Sequence, residues 1–285
     1  MTGSRELALE HLTLLQVSPA DLVTLAAEAG FDAVSLRIAP ASAGEEPWPM
    51  SPGSPMLAET VRRLADTGLA VLGVELIRLD GAAGAAGWEP ALETAARLQA
   101  RYVNAMSDDP ELSRVSDRFC ELTGLAMPLG IRPVIEFMAY KPVRTLDTAV
   151  QIAARSGGGG VLIDALHVQR CGADLGQLSR TDPGLLGYVQ LCDAPLQPPR
   201  GLPVPDRLPR GQPADGGDPA LEARTRRLLP GEGELPLVEL LAAVPPAIPV
   251  AVEAPCLALS REIGPRRLAA AARRALGQVL AAIPD

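Results

Sequence analysis

Eight times along the chain a short apolar run gives way to a longer stretch of helical periodicity, and this alternation constrains the fold more than any single residue does. Strands are expected at residues 7–12, 31–38, within 69–79, and at 102–106, 133–137, 161–164, 188–192 and 250–253. Helical patterns follow them at 18–29, 56–67, 90–100, 111–127, 145–154, 174–179, 236–243 and 265–282. The punctuation supports the reading. Ser18 stands as N-cap with Pro19 at the first helical position, and Gly30 and Gly68 sit where two helices must stop. Eight strand–helix units in 285 residues predict an α/β fold, a (β/α)8 TIM barrel formed by residues 1–285 as one domain. A doubly wound open sheet is the alternative, but no Gly-rich turn follows the first strand.

One segment breaks the rhythm. Residues 196–229, after the seventh strand, are dense in Pro, Arg, Gly and Asp, and only 221–229 has a helical pattern. On a barrel this long insertion overhangs the active face, as a lid or interface or as a tolerated loop. The net charge of −8 argues against a nucleic-acid partner, and no apolar run reaches membrane-spanning length. The start, Met1-Thr2-Gly3-Ser4-Arg5-Glu6, has no signal-peptide pattern, and four cysteines without CxxC spacing fit a cytoplasmic protein with free thiols.

Four polar residues stand at the ends of otherwise apolar strands: Glu136, Asp164, Gln190 and Glu253, on strands five to eight. Consecutive barrel strands are neighbours and their C-terminal ends form one face, so three carboxylates and a carboxamide are expected to converge. Like charges cannot share a pocket without a cation between them. One divalent metal ion is the economical answer, and all-oxygen ligation favours Mn²⁺ or Mg²⁺. Glu75 and Asn104, on strands three and four, read as structural polar contacts. The thiols of Cys171, Cys192 and Cys256 read as inert, and the run at 157–160 as a turn, since no Lys-Ser or Lys-Thr pair follows it.

These residues resemble the xylose isomerase-like TIM-barrel family of sugar isomerases and epimerases, closest to its hydroxypyruvate isomerase-like branch. Three stretches carry the resemblance. Asp164-Ala165-Leu166-His167-Val168-Gln169-Arg170 is similar to a D-x-x-H-x-Q-R motif. Gln190-Leu191-Cys192-Asp193-Ala194-Pro195 is similar to Q-x-x-D-x-P. Arg227-Leu228-Leu229-Pro230-Gly231-Glu232-Gly233-Glu234 is similar to R-x-x-P-G-x-G-E. The insertion beginning at Leu196 departs from that branch, where the last two motifs lie close together.

The resemblance implies Glu136, Asp164, Gln190 and Glu253 as metal ligands, and Glu136 and Glu253 also as the acid/base pair. His167 is expected to hold a substrate hydroxyl or protonate a leaving group, and Arg170, His11 and Arg227 to bind substrate. The implied reaction is isomerisation or epimerisation of a small hydroxy-carbonyl compound or sugar, by proton abstraction next to a carbonyl through an ene-diolate. The alternatives are a dehydratase or β-eliminating lyase on a keto-sugar or cyclic polyol, and a non-catalytic binding subunit. A homo-oligomer is compatible with each.

Overall fold

In the computed structural model, residues 5–80, 84–214 and 216–284 are described. The opening residues 1–4, read above for a leader, lie outside them. Eight parallel strands close into a barrel in chain order: β1 (Leu7–Glu10), β2 (Ala33–Arg37), β3 (Ala70–Arg78), β4 (Tyr102–Met106), β5 (Arg132–Glu136), β6 (Gly160–Asp164), β7 (Leu186–Leu191) and β8 (Val250–Val252). Outside them run α1 (Pro19–Ala29), α2 (Pro55–Thr67), α3 (Gly84–Arg97), α4 (Leu112–Ala126), α5 (Leu146–Arg155), α6 (Ala165–Arg170), α7 (Leu175–Arg180), α8 (Gly217–Thr225), α9 (Leu237–Ala242) and α10 (Leu257–Ala281). The expected cap forms at Ser18, which accepts the backbone N–H of Asp21, and Gly30 (φ 82°) ends α1 in the left-handed region that a Cβ would strain. Ser54 caps α2 in the same way, accepting the backbone N–H of Leu57.

The pleat decides what faces the barrel axis, because residues two apart share a face. Ala8, Ala33, Tyr102, Val134, Leu162, Tyr188 and Ala251 belong to one apolar cluster inside the barrel. Two residues further along the same strands stand Glu10, Ser35, Asn104, Glu136, Asp164, Gln190 and Glu253. The barrel is therefore plugged by an apolar layer with a polar layer above it at the C-terminal mouth. Three alanines in the lower layer leave room for two tyrosines, whose rings meet at 5.3 Å. Gly73 keeps the pattern on β3 without bulk, since a Cβ there would come within 3.5 Å of the Tyr188 hydroxyl.

Four expectations shift. The first strand stops at Glu10, and His11–Leu14 form a 3-10 turn. Helix α3 begins before Pro90, anchored by the buried Trp88, whose indole N–H donates to the Arg78 carbonyl. Helix α6 follows β6 directly because Asp164 caps it, accepting the His167 backbone N–H at 2.9 Å. In the insertion the helix lies at Gly217–Thr225, ahead of the expected 221–229. Residues 226 and 228 instead form bridges, Arg226 with Cys256 and Leu228 with Asp193.

Apart from residue 215, the insertion crosses the mouth of the barrel. Its Arg210 guanidinium stacks over the Trp48 ring at 3.8 Å and donates to the Glu46 and Pro47 carbonyls. Glu46 returns a backbone N–H to the Arg210 carbonyl at 2.7 Å. Among the described residues, no helix is long and apolar enough to cross a membrane.

Candidate active site

The polar layer floors a cavity enclosing about 550 Å³ of space continuous with solvent. Arg37, Glu75, Asn104, Glu136, His167 and Glu253 line it from the barrel, and Gln212, Arg224 and Arg227 from the insertion. Each functional side chain is held by a partner. Asn104 Nδ2 donates to Glu136 Oε2 at 3.1 Å, and Gln190 Nε2 donates to Glu253 Oε1 at 3.2 Å. Arg227 NH1 donates to Asp164 Oδ2 at 2.5 Å and to the Glu253 carbonyl at 3.2 Å, while NH2 lies 3.1 Å from Glu253 Oε2.

Arg227 is thus the cation that answers Asp164 within the protein itself. Its place is fixed by the bridge on its C-terminal side, where Leu228 and Asp193 exchange backbone hydrogen bonds of 2.8 Å. Its Nε also donates to the Ala223 carbonyl at 2.8 Å. Removing one partner of such a buried ion pair costs roughly 3–5 kcal/mol, because the other charge is stranded.

Burial alone would raise the Asp164 carboxyl, but the Arg227 guanidinium, with His167 and the backbone N–H, holds it below its ordinary value. Burial and the neighbouring Asp164 push Glu136 up to about 7. Burial raises Glu253 well above the usual carboxylate range, although Arg227 opposes it. Burial also lowers His167 to about 4, so its ring is neutral at pH 7. The 3.5 Å approach of its Nε2 to Glu136 Oε1 is therefore a contact with an uncharged ring, and Tyr140 packs edge-on against the other side.

The structure gathers the expected site residues unevenly. Ligand atoms of Glu136, Asp164 and His167 lie within 4.8 Å of one another. Glu253 groups instead with Glu10 and Glu75 inside the same limit. His11 and Arg170, expected to bind substrate, are committed elsewhere. His11 Nδ1 accepts the Arg37 backbone N–H, its Nε2 meets the Val17 carbonyl at 2.9 Å, and its ring stacks on Trp48. Arg170 grips Glu222 through two bonds and the carbonyls of Pro195 and Leu196, which ties the insertion down outside the cavity. Arg227 does line the cavity, with its donors turned to Asp164 and Glu253.

The strand-end acids read on β5–β8 left out Glu10, Ser35 and Arg37, and Glu75, expected as a structural polar contact, also lines the cavity. The signal was available for Glu10 and Ser35, each placed two residues after an alanine of the lower layer. Arg37 and Glu75 form a buried ion pair of 2.8 Å. Ser35 donates to Glu10 at 2.9 Å. The carboxyl of Glu10 is raised well above its ordinary value by burial and then by Glu75.

A divalent cation suits the donor set. Oxygens of Glu136, Asp164 and Glu253 keep acceptor capacity beyond the one or two hydrogen bonds that each carboxylate accepts, since a carboxylate accepts about four. Buried Gln190 Oε1 has no hydrogen-bond partner. An orphaned carboxamide oxygen beside carboxylates is the atom a hard cation would satisfy.

Comparison with known proteins places this architecture. The xylose isomerase-like TIM barrel family model matches residues 23–256, and the chain belongs to that family. No curated protein sequence matches it. Among solved structures it is similar to a zinc-bound IolI protein, with 18% identity and a TM-score of 0.70 over 97% of this chain and 98% of that one. It is also similar to D-psicose 3-epimerase with D-tagatose from Clostridium cellulolyticum H10, with 14% identity and a TM-score of 0.71 over 98% and 100%. A xylose isomerase-like TIM barrel/4-hydroxyphenylpyruvate dioxygenase fusion protein matches at 18% identity and a TM-score of 0.74 over 97% of this chain, which spans 43% of the fusion. At these identities the likeness is one of fold.

Proposed function

We propose that this chain is a divalent-metal-dependent isomerase or epimerase of a small hydroxy-carbonyl compound or sugar, with the barrel as one catalytic unit and residues 196–229 as its roof. The observation that carries the proposal is the orphaned Gln190 Oε1 beside the carboxylates of three neighbouring strand ends. Glu136, Asp164, Gln190 and Glu253 would hold the ion, with His167 next to two of them. When bound, the ion would polarise the substrate carbonyl and stabilise negative charge developing on its oxygen.

The chain's own residues supply the proton chemistry. Glu136 is the proposed base that takes a proton from carbon, through a carboxylate oxygen not engaged by the ion. Glu253 is the proposed group that returns one from its own second oxygen. Asn104 and Gln190 orient the two carboxylates, and Arg227 keeps Asp164 ionised. Manganese and magnesium remain the metals proposed from oxygen ligation. The zinc of the IolI structure and the nearness of His167 add zinc as a third candidate.

One observation favours β-elimination as a second reading. The neutral His167 ring beside Glu136 is placed to hydrogen-bond a departing hydroxyl, which would leave as water with the proton that Glu136 takes from carbon. The test is to load the protein with each metal and incubate it in deuterated water with a panel of ketoses and hydroxypyruvate. Deuterium at the carbon next to the carbonyl is expected, and its absence across the panel would overturn the proposal. A product lighter by water would assign the lyase instead.

A further inference from the structure

A second groove lies outside the barrel mouth, between the insertion and the start of α10. It encloses about 1220 Å³ of space continuous with solvent, against about 550 Å³ at the mouth. Pro195, Pro199, Pro203 and Pro205 line it from the outgoing leg of the insertion, and Leu228 and Leu257 from the returning leg and α10. Val204, on the same outgoing leg, also lines it and is 59% exposed, an apolar side chain left to water. The charges of this groove lean one way. Its charged lining residues are Glu222, Arg226 and Arg261. Glu222 is buried, and its carboxylate is engaged by Arg170. Arg226 and Arg261 are exposed, and neither guanidinium has a hydrogen bond or ion pair among the described residues.

Two open guanidiniums on a chain of net charge −8 mark a local place for an anion. The walls narrow which anion. An extended peptide brings backbone N–H and C=O groups that need partners, and a proline has no N–H to give. An alkyl or aromatic body needs no hydrogen bond and gains by leaving water against the proline rings and leucines. A small inorganic anion would satisfy the arginines and leave the apolar walls wet. An apolar amine would meet two like charges.

We infer that this groove binds an amphiphilic acid, one anionic head on an apolar body, with Arg226 and Arg261 holding the head and the proline-rich leg covering the body. The site is separate from the barrel mouth and does not depend on the reaction proposed there.

The test is calorimetric titration of the full chain with octanoate, octylamine and acetate, with octanoate kept below its micelle concentration. Octanoate is expected to bind at least tenfold more tightly than either of the others. Arg226→Gln/Arg261→Gln removes both charges at exposed positions and is expected to weaken octanoate at least tenfold. Val204→Asp, which puts a like charge on the apolar wall, is expected to weaken it at least threefold with both arginines in place. No octanoate binding in the wild type, equal binding of acetate, or unchanged octanoate affinity in either variant would each overturn the proposal. Sedimentation separates two other occupants. Self-association of the wild type that the double variant loses would assign the face to a second copy instead. Cosedimentation with phosphatidylglycerol vesicles, without binding of free octanoate, would assign it to a lipid surface.

Discussion

Asp164 ends an apolar strand, and three different groups share the work of holding its charge. Its Oδ1 accepts the backbone N–H that starts α6, its Oδ2 accepts from Arg227, and His167 stands close by as a neutral ring. The other histidine gives a direct test of burial. His11 is fully buried with both ring nitrogens engaged, and burial lowers its pKa from 6.5 to about 4. A depressed pKa means the folded protein resists a proton that the unfolded chain accepts. The stability at stake is therefore present above about 6.5 and is lost as the pH falls from there through about 4. By pH 5 this group alone costs about 2 kcal/mol relative to pH 7. Urea titrations at the two pH values are expected to show that drop reduced by a similar amount in His11→Gln, which cannot titrate.

At the scale of elements, the insertion is a strap fastened at both sides of the barrel mouth. On one side Arg170 holds Glu222 of α8, and on the other Arg210 sits over Trp48 in the connection between β2 and α2. The first fastening is a buried two-bond ion pair, whereas the second is a half-buried cation–π contact with backbone hydrogen bonds, worth on the order of 1 kcal/mol. Arg210→Ala is therefore expected to speed amide exchange in residues 205–214 and leave α8 protected, with global stability changed by about 1 kcal/mol or less. Equal deprotection of α8 and the Arg210 segment would show that the strap moves as one body instead.

For the whole molecule, five carboxylates of the polar layer (Glu10, Glu75, Glu136, Asp164 and Glu253) face two buried guanidinium groups, Arg37 and Arg227. The excess of acid makes the barrel mouth a place where a cation stabilises the folded state. Any ion that binds only the folded chain raises stability by about 2.7 kcal/mol at a hundredfold excess over its dissociation constant. Manganese is expected to raise the melting temperature and a chelator to reverse the gain. Glu136→Gln/Glu253→Gln is expected to abolish the response, as measured by calorimetric melting with and without the ion. An unchanged melting temperature in the wild type would count against the site.

The barrel was legible along the chain because its strand–helix units carry local signals: apolar runs of strand length, Ser18 as a cap, and glycines such as Gly30 where the backbone must turn left-handed. The strand-end acids Glu136, Asp164 and Glu253 were legible for the same reason, since an acid closing an apolar run is visible without knowing its neighbours. Partnership was not legible. Arg227 lies 63 residues from Asp164 and Arg37 lies 38 from Glu75, so only the pairing of β2 with β3 and the path of the insertion bring these charges together. The bonds that engage His11 and Arg170 with Val17, Arg37 and Glu222 were not legible on the same ground, because a side chain's direction depends on what packs beside it. Local propensity and the two-residue pleat thus determined the elements and the inward-facing polar layer. The tertiary structure alone decided which charges neutralise each other and which polar atoms stay open to a ligand, because those choices depend on distances between segments far apart in the chain.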